Sequence, residues 1–234
     1  MTRRIATILA RQGSKGFPNK NIQPFLGEPL LSRSVAQARR TGLFDTVVVS
    51  SDSEAYLQIA KSAGADQLVL RPSEMANDSV TKLPGIRHAV ETCEARTNQS
   101  FDIVADLAVT SPLRGDSDIL GAVAQLEGSQ APLILSGLEA EDNPYFNILE
   151  QTSNGDFTLS KTVPGRVSAR QAAPQCIALN GAVYVWQRVE LARDDDTVVR
   201  PGTQVFLMPK QRSIDIDNEI DFRIAEFLAK EKVD

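Results

Sequence analysis

Cysteine and histidine are nearly missing from this chain of 234 residues, which has two of the first and one of the second. Cys93 and Cys176 are too few for a disulfide framework or a thiolate metal cluster. The lone His88 falls in a helical pattern with no partner cysteine or histidine near it, so it reads as a structural residue. Long apolar runs are missing too. None approaches the roughly 18 residues of a membrane span, and the N-terminal apolar stretch stops at Arg11, too short for a signal-peptide core. The expected compartment is therefore the cytoplasm. A net charge of -5 speaks against a general nucleic-acid surface.

What is present is an alternation. Residues 5–10 read as a buried strand and 30–40 as a helix stopped by Gly42. The β-branched run at 46–50 has the pattern of a parallel strand buried on both faces. Ser53 is placed to cap a helix that Gly64 ends. Strands at 67–70, 102–109 and 132–136 alternate with helices at 81–95 and 116–126. This rhythm predicts one α/β domain over 1–234, Rossmann-like, with a mainly parallel sheet flanked by helices. At about 137–178 the rhythm breaks. Turn formers crowd there (Asn143 with Pro144, Asn154 with Gly155, Pro164 with Gly165), which predicts an inserted, protruding lobe or hairpin. Strands return at 182–186 and 205–208, and a helix closes the chain at 219–230.

In open α/β sheets ligands bind beyond the carboxyl ends of the strands. The loop after the first strand, residues 11–21, carries three cations (Arg11, Lys15, Lys20) and no acid. Gly13 and Gly16 let its backbone turn and approach a ligand, and Ser14, Asn19 and Asn21 add neutral donors. That combination suits a triphosphate. It matches neither the G-x-x-x-x-G-K-[ST] loop nor the G-x-G-x-x-G fingerprint, which argues against an ATPase and a dehydrogenase. A solvated basic turn is the plain alternative.

Near the other end, residues 213–217 alternate polar and apolar. If extended, Asp215 and Asp217 share one face while Ile214 and Ile216 face the core. Two adjacent carboxylates repel unless a cation joins them, and Mg²⁺ favours one or two carboxylates plus substrate phosphates. The alternative is a charged edge with Asp217 capping the last helix and Asp221 on its surface. Thr110, Ser111 and Arg114 follow the fourth strand on the ligand side and fit either a base or sugar contact or a structural turn. Asp52, with Ser50 and Ser51, ends the second strand in the same way. Arg166 and Arg170 lie in the irregular segment, where a guanidinium pair suits a carboxylate; surface solvation is the plainer alternative, favoured on the residues alone.

The stretch Ala10, Arg11, Gln12, Gly13, Ser14, Lys15, Gly16, followed by Lys20 and Asn21, resembles the N-terminal signature of the acylneuraminate cytidylyltransferases. The likeness continues, in order, through 50–53, Leu70 to Pro72 around Arg71, 110–114, Arg170 with Gln171, Asn180 to Ala182, and 214–217. It implies a Rossmann-like nucleotidyltransferase, a homodimer across which the protruding segment reaches, and transfer of CMP from CTP to an acidic nine-carbon sugar. Carried over by position, Ala10, Arg11, Gly13, Ser14, Lys20, Asn21, Asp52 and Arg71 would hold the nucleotide. Thr110, Ser111, Arg166, Arg170, Gln171 and Asn180 would hold the sugar. Asp215 and Asp217 would bind Mg²⁺, and with Arg11 and Lys20 they would be the catalytic set.

Three departures fall on the sugar side. Ala108 replaces a glutamine, Asn143 to Asn147 stands where a lysine is expected, and Ile177 and Leu179 replace an aromatic and a proline. The 143–147 stretch resembles synthetases for bacterial analogues such as legionaminic acid. Two other readings remain open: a nucleotidyltransferase for another acidic sugar such as a 3-deoxy-octulosonate, and a catalytically silent nucleotide-binding module.

Overall fold

The computed structural model describes residues 1–13, 16–75, 81–165, 169–193 and 197–231. Its first strand, β1 (Arg4–Leu9), runs through the middle of the molecule. A two-stranded turn of β2 (Pro24–Phe25) and β3 (Glu28–Pro29) leads into α1 (Leu30–Arg40). Then follow β4 (Thr46–Ser51), α2 (Glu54–Ser62), β5 (Gln67–Leu70), α3 (Lys82–Thr97), β6 (Ile103–Leu107), α4 (Asp116–Glu127) and β7 (Leu133–Glu139). Strands β8 (Leu149–Gln151) and β9 (Phe157–Leu159) pair as a hairpin. The chain closes with β10 (Ile177–Gln187), α5 (Arg188–Leu191), β11 (Gln204–Leu207) and α6 (Glu219–Glu231).

Seven strands form one sheet in the order β11-β7-β10-β6-β1-β4-β5. Every neighbouring pair is parallel except the two made by β10, which lies antiparallel between β6 and β7. All six residues of β4 are buried, as a strand covered on both faces requires. Alternate side chains feed two cores. Ala6, Ile8, Val47 and Val49 pack with α1, α2, α4 and α6, whereas Ile5, Val48 and Val104 pack with α3 and α5. In α1, the fully buried Leu30, Leu31 and Val35 lie on one stripe, and each contributes about 2 kcal/mol by leaving water. A charge at Val35 would undo that contact. The helix stops where Gly42 turns left-handed at φ +63°. Ser53 holds the N-cap position of α2, but its side chain makes no cap hydrogen bond, contrary to the sequence expectation.

The irregular segment is an arm. Its neck is closed by Ala140 N–H donating to Cys176 O (3.0 Å) and by the buried Asn143, whose Nδ2 donates to Pro174 O (2.9 Å). Strands β7 and β10 run further than the sequence indicates, pairing out to Glu139 and Ile177, so the arm proper spans 140–176. Beyond the neck, Phe146, Ile148, Leu149, Phe157 and Leu159 are exposed.

Candidate active site

The loop after β1 is fixed by its own neighbours. Ala10 is buried and its N–H donates to Ser50 O (3.0 Å), tying the loop to the end of β4. The Arg11 carbonyl accepts from Asn21 Nδ2 (2.9 Å), and Gln12 N–H donates to Asp52 Oδ1 (2.9 Å). Asn21 and Asp52, both expected at the nucleotide, thus shape the loop backbone in this structure. Gly13 stands in open space, with nothing within 4 Å of where a Cβ would sit. Ser14 lies outside the described residues. Asn19 turns left-handed (φ 55°) and its side chain accepts from the Tyr56 hydroxyl, which starts the single 3₁₀ turn Lys20–Ile22.

That turn aims Lys20 at the C-terminal aspartates. Its ammonium donates to Ile216 O (2.8 Å) and to Asp217 Oδ1 (3.0 Å). The Lys20 side chain is 18% exposed and that of Asp217 75%. A pair so open to water is worth at most about 1 kcal/mol, so it does not hold the two segments together. Packing does. Phe17 and Phe25 both meet Phe222 of α6 edge to face, with ring centroids 5.5 and 5.7 Å apart. Gly16 lies against the Asp217 carbonyl so closely that a Cβ there would come within 2.6 Å of its oxygen.

Residues 213–216 join no sheet ladder, but their alternation holds: Ile216 is fully buried between the exposed Asp215 and Asp217. Ile216 N–H donates to Thr110 O (2.9 Å), which brings Thr110 beside Asp215. The cap of α6 is Asn218, not Asp217. Asn218 Oδ1 accepts from the N–H groups of Ile220 and Asp221, while Asp221 Oδ2 accepts from those of Asp217 and Asn218. That reciprocal cap spares the Asp217 carboxylate for Lys20. It also gives Asp221 a task that surface exposure had not suggested. Asp215 is reached by solvent yet ringed by protein. This crowding, with the charge of Asp217 added, raises its pKa above the ordinary carboxylate value against the pull of Thr110, Lys20 and Lys82.

On the α3 side stands a cluster that the sequence reading missed. Asp106 is buried in β6, accepting from Thr7 Oγ1 (3.0 Å) and Lys82 Nζ (2.9 Å). The Lys82 ammonium also sits 4.0 Å over the Tyr184 ring. Beside it Arg71 is buried with its Nε unpaired. Burial lowers its pKa and Arg11 lowers it further, while Asp52 and Asp106 oppose. Gly85 makes room for it, since a Cβ there would lie 3.0 Å from an Arg71 guanidinium nitrogen. The available signal was Asp106, a charge within an otherwise apolar strand.

The remaining sugar-side candidates differ in placement. Ser111 is buried with its hydroxyl unpaired. Arg114 is wholly internal. It donates to Gln37 Oε1 and to the carbonyls of Ala108 and Ala182, and burial lowers its pKa to about 10. Its role is structural, through neutral acceptors rather than an ion pair. The polar atoms of Asn180 are engaged within the protein, by Ser136, Ala182, Ser213 and Met208, so in this structure it braces the segment leading to Asp215. Arg170 is exposed and donates to Ala140 O (2.8 Å) at the neck of the arm; Gln171 beside it is exposed as well. No hydrogen bond or ion pair links either to the aspartates among the described residues. Arg166 lies outside them.

Among the described residues no group of three or more Asp, Glu, His or Cys gathers to enclose a metal ion. Asp215 and Asp217, both exposed, are hard-oxygen donors of the kind that would suit a magnesium ion shared with phosphates. No helix among these residues is long and apolar enough to cross a membrane.

A family model described as "Cytidylyltransferase" matches residues 5–161. A "Post-translational flagellin modification protein B" of Campylobacter coli is 34% identical over 232 residues, covering 99% of this chain and 97% of the relative. A "CMP-N,N'-diacetyllegionaminic acid synthase" of Campylobacter jejuni is 34% identical over 224 residues, covering 96% and 94%. A solved CMP:2-keto-3-deoxy-manno-octonic acid synthetase shares the fold at TM-score 0.70 and 14% identity, covering 99% of this chain and 100% of that one. With the cationic loop and the twin aspartates meeting at the carboxyl edge of β1, this chain belongs to the cytidylyltransferase family.

Proposed function

We propose that this protein transfers CMP from CTP to the anomeric hydroxyl of a nonulosonic acid, of the legionaminic type, with Mg²⁺ at Asp215 and Asp217. The observation that carries the reading is the meeting of Lys20 with Asp217 at 3.0 Å. It joins a loop suited to phosphates and a carboxylate pair suited to the metal that phosphates share. The legionaminic assignment draws on the named relative at 34% identity and on the 143–147 stretch.

In the reaction the sugar's anomeric oxygen forms a bond to the α-phosphorus. The bond from that phosphorus to the bridging oxygen breaks, pyrophosphate leaves, and the hydroxyl proton goes to solvent or a basic oxygen. The chain's own part is positioning and charge stabilisation. Arg11, Lys20 and the open backbone at Gly13 face the triphosphate, and Arg71 supplies a buried cation at the nucleotide end. A bound Mg²⁺ would neutralise charge growing on the departing pyrophosphate. Arg170 and Gln171 approach the sugar only if the arm of one protomer reaches its partner. The homodimer is what the family resemblance implies, and the exposed apolar residues of the arm agree with it. A cytoplasmic location agrees with a CTP-consuming reaction.

The test is pyrophosphate release from CTP and Mg²⁺ with a panel of N,N'-diacetyllegionaminic, pseudaminic and N-acetylneuraminic acids. Turnover highest with the first supports the full reading. Turnover of none of them overturns it.

A further inference from the structure

The loop that follows β1 is held from two sides. Its root is tied to the end of β4 and to α2: Ala10 N–H donates to Ser50 O, Gln12 N–H to Asp52 Oδ1, and the Tyr56 hydroxyl to Asn19 Oδ1. Its lip, Gly16 with Phe17, lies instead against α6 and the segment that leads into it. A Cβ on Gly16 would meet the Asp217 carbonyl, and the Phe17 ring meets Phe222 edge to face. Phe222 is backed in turn by Phe25. That ring is fully buried, with the Arg33 guanidinium carbon 5.2 Å from its centre.

Backbone bonds carry this aromatic contact to both charges. Lys20 N–H donates to Phe17 O (3.2 Å), so the ring and the ammonium belong to one turn. On the other side Phe222 N–H donates to Asn218 O (3.2 Å), and Asn218 with Asp221 caps the same first turn of α6 beside Asp217. The Phe17–Phe222 pair thus sets where the base of Lys20 stands relative to Asp217. The ion pair between those two is too exposed to set it. The lysine stem is flexible, so its ammonium is well placed only if its backbone is.

We propose that Phe222 is a positioning residue for the nucleotide: by holding Phe17 it fixes the lip of the loop and with it Lys20, so that the triphosphate meets a cation already in place. The inference rests on the function proposed above and adds a residue of α6 to the nucleotide side of it. Phe222 acts through Phe17 and Lys20 and needs no contact with the ligand. A group held ready before binding spares the ligand the entropy of ordering it. An aromatic ring suits the task, because it buries a large rigid surface and meets other rings in defined geometry. The second ring of the helix supplies a control: Phe227 is 62% exposed, on the outer stripe with Ile220 and Ile224.

The test is a double-mutant cycle on CTP binding, read by equilibrium dialysis with Mg²⁺ and no sugar, at a temperature where every variant is folded. Phe17→Ala and Phe222→Ala are each expected to raise the Kd for CTP about tenfold, since each gives up the same aromatic contact. The double variant should also lie about tenfold above wild type, not about a hundredfold, because the second change removes nothing further. Phe222→Leu, which keeps apolar bulk, should recover most of the loss, and Phe227→Ala should bind as wild type does. In turnover the KM for CTP should rise while that for the acid stays within about twofold. Phe222→Val replaces Phe222→Ala if the latter does not fold, with the same non-additivity required. An unchanged Kd in either single variant, additive losses, or an equal loss in Phe227→Ala overturns the role of Phe222 and leaves the proposed reaction standing. Failure of wild type to bind CTP removes the reaction and this inference together.

Discussion

Lys20 and Asp217 are 197 positions apart in the chain and 3.0 Å apart in the fold. The contact joins the loop after β1 to the segment that leads into α6, and it sets the Lys20 ammonium next to a carboxylate that the proposed metal ion would also claim. On the proposed function, phosphate oxygens would offer Lys20 a stronger partner than Asp217, so the pair would exchange on binding rather than brace the fold.

Replacing Lys20 by Met should therefore separate activity from stability. Loss of one preorganised charge at a phosphoryl centre costs about 10²–10³ in kcat/KM, whereas a pair with Asp217 this exposed contributes at most about 1 kcal/mol to folding. Pyrophosphate release and urea denaturation of the same preparation measure the two. A stability loss of several kcal/mol with activity retained would make Lys20 a brace and nothing more.

Gly16 and Gly13 offer a paired test of the loop. A Cβ at Gly16 would lie 2.6 Å from the Asp217 carbonyl oxygen, and backbone cannot step aside as a side chain does. Gly16→Ala should push the loop off the aspartates and cut turnover about tenfold or more, at a stability cost of about 1 kcal/mol. A Cβ at Gly13 meets nothing, so Gly13→Ala leaves the empty protein unchanged. Any activity it loses reports a ligand that needs that space. Equal behaviour of the two variants in turnover and melting would contradict this account.

The alternation of strands and helices was legible because β4 and β6 are apolar runs bounded by turn formers. The direction of β10 was not, since a strand buried on both faces reads alike whichever way it runs. That one unread feature hid the rest. Tyr184 reaches Asp106 only because β10 inserts antiparallel beside β6, so no spacing in the chain brings Lys82, Asp106 and Tyr184 together. Lys20, Asp215 and Asp217 stood out by residue type, because phosphate and metal chemistry restricts the choice to cations and hard-oxygen anions. Asn180 and Arg114 both read in sequence as residues on the ligand side; in the fold the hydrogen bonds of both close inside the protein.

Arg114 accordingly belongs to stability. Its guanidinium is fully internal and bonds Gln37 and two carbonyls across β6, β10 and α1. Arg114→Met removes hydrogen bonds from a charged donor, worth about 1.5–3 kcal/mol each, and leaves Gln37 Oε1 without its donor, while the Ala108 and Ala182 carbonyls keep the Ser34 hydroxyl and the Ala108 N–H. A total loss of about 3 kcal/mol or more in urea denaturation is expected, with the KM for CTP little changed in the protein that remains folded. A stable variant with a large rise in that KM would return Arg114 to the ligand.

Asp215 should show the opposite trade. Its pKa is raised in the folded protein, chiefly by crowding and next by Asp217. The folded state thus holds the proton more tightly than the unfolded one, whose carboxyl titrates near 3.8. Between those two values stability falls as pH rises, and above the folded value the full penalty persists. Asp215→Asn removes the charge and with it the penalty. At neutral pH, without metal, the variant should melt slightly higher than wild type, and the gap should close as pH falls toward 3.8. On the proposed function the same substitution should cost about 10² or more in turnover, because it would take away one of the two carboxylates proposed to hold Mg²⁺. A variant that melts lower at neutral pH, or one whose advantage grows on acidification, would mean that the crowding around Asp215 favours its charge instead of opposing it.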